Sequence, residues 1–156
     1  KEIKDLNISL LNKDIPCIIV SVKKDRRDHI RDLHRKICSF AETDGIKMIL
    51  YVDPVKDIHN LSSVIWKFLN YLDPYRDHIA FKKQMTDNSG ADTAKFQACI
   101  GFDGTKKTKE YDGVDEEWPG VVISNNDTIN RIDKKWDELG IGPFISSPSL
   151  KYKDQL

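Results

Sequence analysis

The segment Gly101-Phe102-Asp103-Gly104-Thr105-Lys106-Lys107-Thr108 gathers residue types that suit an anion. Its two glycines let the backbone turn and bring N–H groups forward, and Lys106 and Lys107 add ammonium charges beside Thr105. Thr105, Lys106 and Lys107 are therefore candidates for contact with an anion or a neighbouring domain. Contact is expected rather than catalysis, because a lysine serves as acid or base near neutrality only when its pKa is strongly lowered. The segment is not a Walker A loop, which needs its Lys-Ser/Thr pair at a fixed distance from a first glycine and at the opening of a helix. The plainer reading is a solvated turn with both lysines in water.

Other chemistry-bearing residues are scattered. The histidines at 29, 34, 59 and 78 lack metal-ligand spacing. His34 falls on an apolar helix face and reads as a satisfied core histidine, whereas His29 and His59 lie near helix starts and are expected to be exposed. Cys17, Cys38 and Cys99 are far apart among apolar neighbours. They read as reduced core thiols of a cytosolic protein, with no clustered partners for a zinc site or a nucleophile. Asp115-Glu116-Glu117 reads as a solvated face, and Trp66 and Trp136 as packing residues. No Ser/His/Asp order stands out. No residue is assigned to catalysis, to a cofactor or to a metal.

The elements that position these residues are legible from periodicity. Ile15–Val22 and Ile46–Val52 are short apolar runs of the kind buried on both sheet faces. Between them, Ile30, Leu33, His34, Ile37, Cys38 and Ala41 fall on one face of an amphipathic helix that stops before Gly45. Asn60 can cap a second helix, with Leu61, Val64, Ile65, Phe68, Leu69 and Leu72 as its apolar face and Asp73-Pro74 as its end. His78–Lys82 and Phe96–Phe102 are further strands, and Asp87–Asp92 is a polar loop. Asp103–Gly120 is a long loop with a functional or interface role. Val121–Ser124 is a short strand, followed by a helix capped by Asn126 and burying Ile129, Ile132, Trp136 and Leu139. The predicted fold is α/β: a mostly parallel sheet with right-handed crossovers, helices on both faces, and a long loop before the last strand and helix. Residues 1–145 are expected to form a single domain and 146–156 an extended tail.

With 156 residues, the chain is large enough for a core without disulfides or metals. Lys plus Arg and Asp plus Glu are 25 each, so no broad positive field is available for a nucleic-acid backbone. The apolar runs are too short to span a bilayer. The first residue is Lys1, not Met, which we read as a sign of a longer parent chain.

Several motifs, in order, resemble one family. Val64-Ile65-Trp66 with Leu72-Asp73-Pro74-Tyr75-Arg76-Asp77 resembles the "VIW … DP-x-RD" signature of UbiD-like decarboxylases. Ile100-Gly101-Phe102-Asp103-Gly104-Thr105-Lys106-Lys107 resembles their "GIDATKK" segment. Trp118-Pro119 and Trp136-Asp137-Glu138-Leu139 resemble the closing "WP" and "IWDEL" elements, and Pro148-Ser149-Leu150-Lys151-Tyr152 is similar to the menaquinone-type enzymes of the Bacteroides group. The resemblance covers nearly the whole chain and places it as the C-terminal domain of such an enzyme.

The resemblance implies a cytoplasmic, non-oxidative decarboxylase of aromatic or α,β-unsaturated acids in ubiquinone or menaquinone synthesis. The family's cofactor is prenylated FMN with a divalent metal and potassium, held together with the catalytic set in an N-terminal and central region outside this chain. The implied role is thus closing and oligomerisation, with the flavin-binding domain of the same polypeptide as partner, a homo-oligomer as assembly, and this fragment alone inactive. Two segments depart from the family. Asp53-Pro54-Val55-Lys56-Asp57 replaces an acidic "DEDVD"-like turn, and Met85–Asp92 replaces an apolar substrate-facing loop. A stand-alone interaction module that kept the fold without the chemistry is the alternative. A flavodoxin-like nucleotide-binding enzyme is a third reading, disfavoured because Lys23-Lys24-Asp25 stands where a glycine-rich turn would follow the first strand.

Overall fold

Every side chain of Cys17–Val22 is buried, as an unbroken apolar strand covered on both faces requires. In the computed structural model, which describes residues 2–55, 57–85, 95–115, 124–147 and 150, this segment is strand β2 of a five-stranded sheet. The others are β1 (Ile3–Asn7), β3 (Met48–Val52), β4 (His78–Met85) and β5 (Lys95–Gly104), in spatial order β1-β2-β3-β5-β4. β3 runs parallel to β2 and to β5, while β1 and β4 pair antiparallel at the two edges. The sheet is thus parallel in the middle and antiparallel outside. The strand at His78 forms a ladder with β5 rather than continuing the parallel run, and β1 is an additional strand whose residues up to Leu6 are exposed. That exposure explains why no apolar run announced it.

Helix α1 (His29–Ser39) covers one face of the sheet. Its Ile30, Leu33, Ile37 and Cys38 pack with Ile18, Val20, Ile49, Tyr51 and Cys99. Helix α2 (Leu61–Tyr71) covers the other face, where Val64 and Phe68 meet Cys17, Ile19, Leu50 and Val52. The side chain of Asn60 accepts from the Ser63 N–H and caps α2. The apolar face predicted for α2 is narrower than its sequence suggested. Ile65 and Leu69 are exposed, and Trp66 is 50% exposed rather than packed in the core. The reason is a close approach: a Cβ on Gly104 would lie 2.1 Å from Phe68 Cδ2. The helix therefore rests on the Val64–Phe68 line and turns the Ile65–Leu69 line outward.

The chain divides into two compact units, Lys1–Glu116 and Glu117–Leu156. The sheet, α1, α2 and a short helix α3 (Lys109–Asp112) lie in the first. Helix α4 (Asn126–Leu139) lies in the second. Its cap is Asn125, whose side chain accepts from Thr128 N–H, one residue before the cap predicted. Ile132 and Leu139 are exposed, and Trp136 donates from Nε1 to the Gly142 carbonyl and meets Phe144 edge to face. The loop at Asp87–Asp92, most of the expected strand Val121–Ser124 and Trp118-Pro119 lie outside the described residues, as does most of the tail from Ser146 to Leu156. Among the described residues, no helix is long and apolar enough to cross a membrane.

Candidate functional site

The register aligns Ser21 with Val52 and Val52 with Gly104. The segments leaving β2, β3 and β5 therefore emerge side by side at one edge of the sheet, the edge where open α/β sheets place their ligands. Polar residues join them there. Asp53, after β3, accepts at 2.7 Å from the backbone N–H of Lys106, after β5. Burial raises the Asp53 pKa above its ordinary value, against the pull of that N–H and of Lys67 and Lys24. Lys24, after β2, holds both oxygens of Asp112 at 2.8 Å and lies 3.9 Å from Asp103. The same carboxylate accepts from Thr108 N–H, so one ion pair ties the first loop to α3.

The anion-contact candidates fall into two groups. Lys107 is buried, and its ammonium donates to the carbonyls of Asp103 and Thr105 at 2.5 and 2.8 Å. It also lies 3.4 Å from Asp77 and 3.3 Å from the Asp103 carboxylate. Thr105 is likewise buried, with its N–H and hydroxyl both directed to Asp103. These two residues hold the turn together from inside and present nothing outward. Lys106 alone of the three is exposed. An ammonium four residues past Asp103 satisfies the loop's own acceptors before it can reach solvent, which spacing alone did not reveal.

Asp77, from the "DP-x-RD" stretch, is the other anchor. It accepts from Arg76 Nε and Nη2 at 2.8 and 2.9 Å and from the Asp73 N–H at 2.8 Å. Burial by itself would raise its pKa, but the Arg76 and Asp73 hydrogen bonds and the charges of Lys107 and Arg76 win, and it lies below the ordinary carboxylate value. A cleft of about 190 Å³ opens beside these groups and the start of α1. Its wall carries four basic side chains, Lys24, Arg27, Arg31 and Arg76, and four acidic ones, Asp28, Asp77, Asp103 and Asp112. Their charges balance, and Lys24 and Arg76 are already paired. His29 lines the same cleft but is buried, contrary to the expected exposure, because its ring folds back under the loop onto Asp25, with Nδ1 3.1 Å from the carboxylate. Its Nε2 is buried without a hydrogen-bond partner. This edge can fix three loops in one rigid arrangement. It joins no nucleophile to a base among the described residues.

A second group brings together residues that the sequence offered singly. His34, Cys38 and Cys99 are all buried, with their donor atoms within 4.8 Å of one another. His34 Nδ1 lies 3.0 Å from the Tyr51 hydroxyl, and Cys38 Sγ lies 3.7 Å from His34 Nε2. The hydrogen bond from Cys99, helped by His34, pulls the Cys38 pKa down to about 5, while the same bond and burial push Cys99 upward. The three cysteines are free and buried, as expected of core thiols. The only trace of the cluster in the sequence is the four-residue step from His34 to Cys38. Cys99 arrives from another strand.

Comparison with known proteins places this geometry in context. Residues 1–104 match the family model of the 3-octaprenyl-4-hydroxybenzoate carboxy-lyase C-terminal domain. An uncharacterized protein of Archaeoglobus fulgidus is 27% identical over 140 residues, which cover 88% of this chain and 29% of that protein. Vanillic acid decarboxylase of Sedimentibacter hydroxybenzoicus is similar in its closed form with a TM-score of 0.58 at 16% identity, over 90% of this chain and 29% of that one. Its open form is similar with a TM-score of 0.56, again at 16% identity, over 88% of this chain and 29% of that one. The UbiD-class enzyme HmfF of Pelotomaculum thermopropionicum, in complex with FMN, gives 0.57 at 16% identity, over 85% and 29%. This chain spans less than a third of the length of these relatives.

Proposed function

Because the chain belongs to the family of 3-octaprenyl-4-hydroxybenzoate carboxy-lyase C-terminal domains, we propose that it is the closing domain of a cytoplasmic UbiD-class decarboxylase acting on an aromatic acid in quinone biosynthesis. The reacting groups then belong to a flavin-binding domain of the same polypeptide, and the assembly is a homo-oligomer. The observation that carries this reading is the family match, joined to the chain's length of 29% of the decarboxylase it resembles. A water-excluding closure is what decarboxylation asks of such a domain, since a carbanion-like centre is quenched by solvent protons.

Among the described residues, the cleft at the strand ends does not fit the family's prenylated FMN. At about 190 Å³, it is smaller than the roughly 300 Å³ at which small-molecule sites begin. Its charges balance, so no excess of positive charge awaits a phosphate. The chain's own contribution is rigidity: Lys24–Asp112, Asp53–Lys106 and Arg76–Asp77–Lys107 hold the loop ends that face outward. Lys106 is the side chain of this edge we assign to contact with the flavin domain. The outward line of α2, where Trp66 and Leu69 are exposed, adds an apolar surface for the same partner.

An antibody to this domain, used on an extract of the native cells, tests the reading. A band several times heavier than 18.0 kDa, co-purifying with a flavin chromophore, is expected. A band at that mass would overturn it and leave the interaction module.

A further inference from the structure

We propose that His34, Cys38 and Cys99 bind a zinc ion between α1 and β5. The inference does not rest on the decarboxylase reading. His34 and Cys38 stand one helical turn apart, so both project from the same face of α1. That face meets β5 where Cys99 points toward it, and all three donors are buried. Tetrahedral zinc, with bonds of about 2.3 Å to sulfur and about 2.0 Å to nitrogen, sets its ligand atoms on the order of 3.5–3.8 Å apart. Cys38 Sγ lies 3.7 Å from His34 Nε2 and 3.9 Å from Nδ1, so the thiol flanks the ring and has to turn toward Nε2 to share the ion.

The surroundings hold the imidazole in place. Tyr51 engages His34 Nδ1 at 3.0 Å, which leaves Nε2 as the nitrogen open to the ion. Outer hydrogen bonds of this kind orient metal-binding imidazoles. Gly101 makes room for the ring, since a Cβ there would lie 2.6 Å from His34 Nδ1. Phe81 closes the other side, edge to face with the ring at 6.4 Å.

The donor set selects the ion. Two thiols and an imidazole suit a thiophilic cation and exclude calcium or magnesium, which require oxygen. Binding releases the two thiol protons to solvent. A dication with two thiolates is then neutral, so the buried site holds no net charge. Three protein ligands leave one position for water. Because α1 begins at the cleft and β5 ends there, the ion would pin together the two elements that carry its walls.

The protein should be unfolded with a chelator and a thiol reductant, refolded with zinc chloride, desalted, and assayed for metal by mass spectrometry. About one zinc per chain is expected, with a rise in Tm of about 5–10 °C over the zinc-free protein. Cobalt in place of zinc should show thiolate-to-metal charge-transfer absorption. Cys99→Ala and Cys38→Ala, small changes confirmed as folded by circular dichroism, should lose the metal, the Tm gain and the absorption. Cys17→Ala, whose thiol packs on the opposite face of the sheet, should keep all three. Sub-stoichiometric zinc in the wild type, or zinc retained when Cys38 and Cys99 are both replaced, would overturn the proposal.

Discussion

An ammonium leaving water loses several kcal/mol of hydration, so Lys107 can be buried only where its charge is answered. Two carbonyls and the carboxylates of Asp77 and Asp103 answer it. Replacing Asp77 by alanine should accordingly destabilise the domain by about 3–5 kcal/mol, read from urea unfolding at neutral pH. The pH dependence has a definite sign. The folded pKa of Asp77 lies below its ordinary value, so its contribution is full above the unfolded pKa of about 4 and is lost as pH falls through the lower folded value. Wild-type Tm should drop on acidification through that window, and Asp77→Asn should flatten the drop while lowering Tm at neutral pH. Thermal melts between pH 6 and pH 2.5, on the order of the relevant carboxylate range, test both. In the sequence, Asp77 was visible only as part of a motif, and Lys107 looked like a surface residue. Nothing in residue type distinguishes a lysine in water from one folded back onto its own loop.

The elements were better forecast, and their errors share a cause. Periodicity located α1, α2, β2 and β3, because each has a continuous buried face. It missed β1, which is exposed along most of its length, and it widened the buried face of α2. The fit of α2 depends on Gly104, whose missing side chain admits Phe68. Gly104→Ala should therefore cost about 1–3 kcal/mol through overpacking, measured as a lower urea midpoint with unchanged slope. Trp66→Ser on the outward face of the same helix should change Tm little, since its indole is 50% exposed and surface substitutions usually lie within about 0.5 kcal/mol. The contrast between the two variants would show which line of α2 bears the packing.

For the whole molecule, the prediction concerns contact rather than stability. Lys106 has an exposed side chain while its backbone N–H is held by Asp53. Lys106→Glu should leave the Tm of this chain within about 1 °C, the range of an ordinary surface change. On the decarboxylase reading proposed above, it should lower kcat of the full-length protein about tenfold by weakening closure, the equivalent of about 1.4 kcal/mol in the barrier. Unchanged kcat with an unchanged Tm would remove Lys106 from the interdomain contact. The residues lining the cleft come from the segment after β2, the start of α1, the turn before β4 and its first residues, the end of β5, and α3. Their charge balance is a property of the assembled edge, not of any one segment.

By itself, the sequence determined the α/β class, the two central parallel strands with their covering helices, and the family. Apolar runs and helical spacing are local, and motifs are read in order along the chain. The tertiary structure decided which charges face inward and which strands pair antiparallel. It also decided that His34, Cys38 and Cys99 meet. Those outcomes depend on distances between residues far apart in the chain: Cys99 reaches Cys38 only because β5 inserts between β3 and β4. Strand order is set by the packing of the whole sheet and leaves no local periodicity.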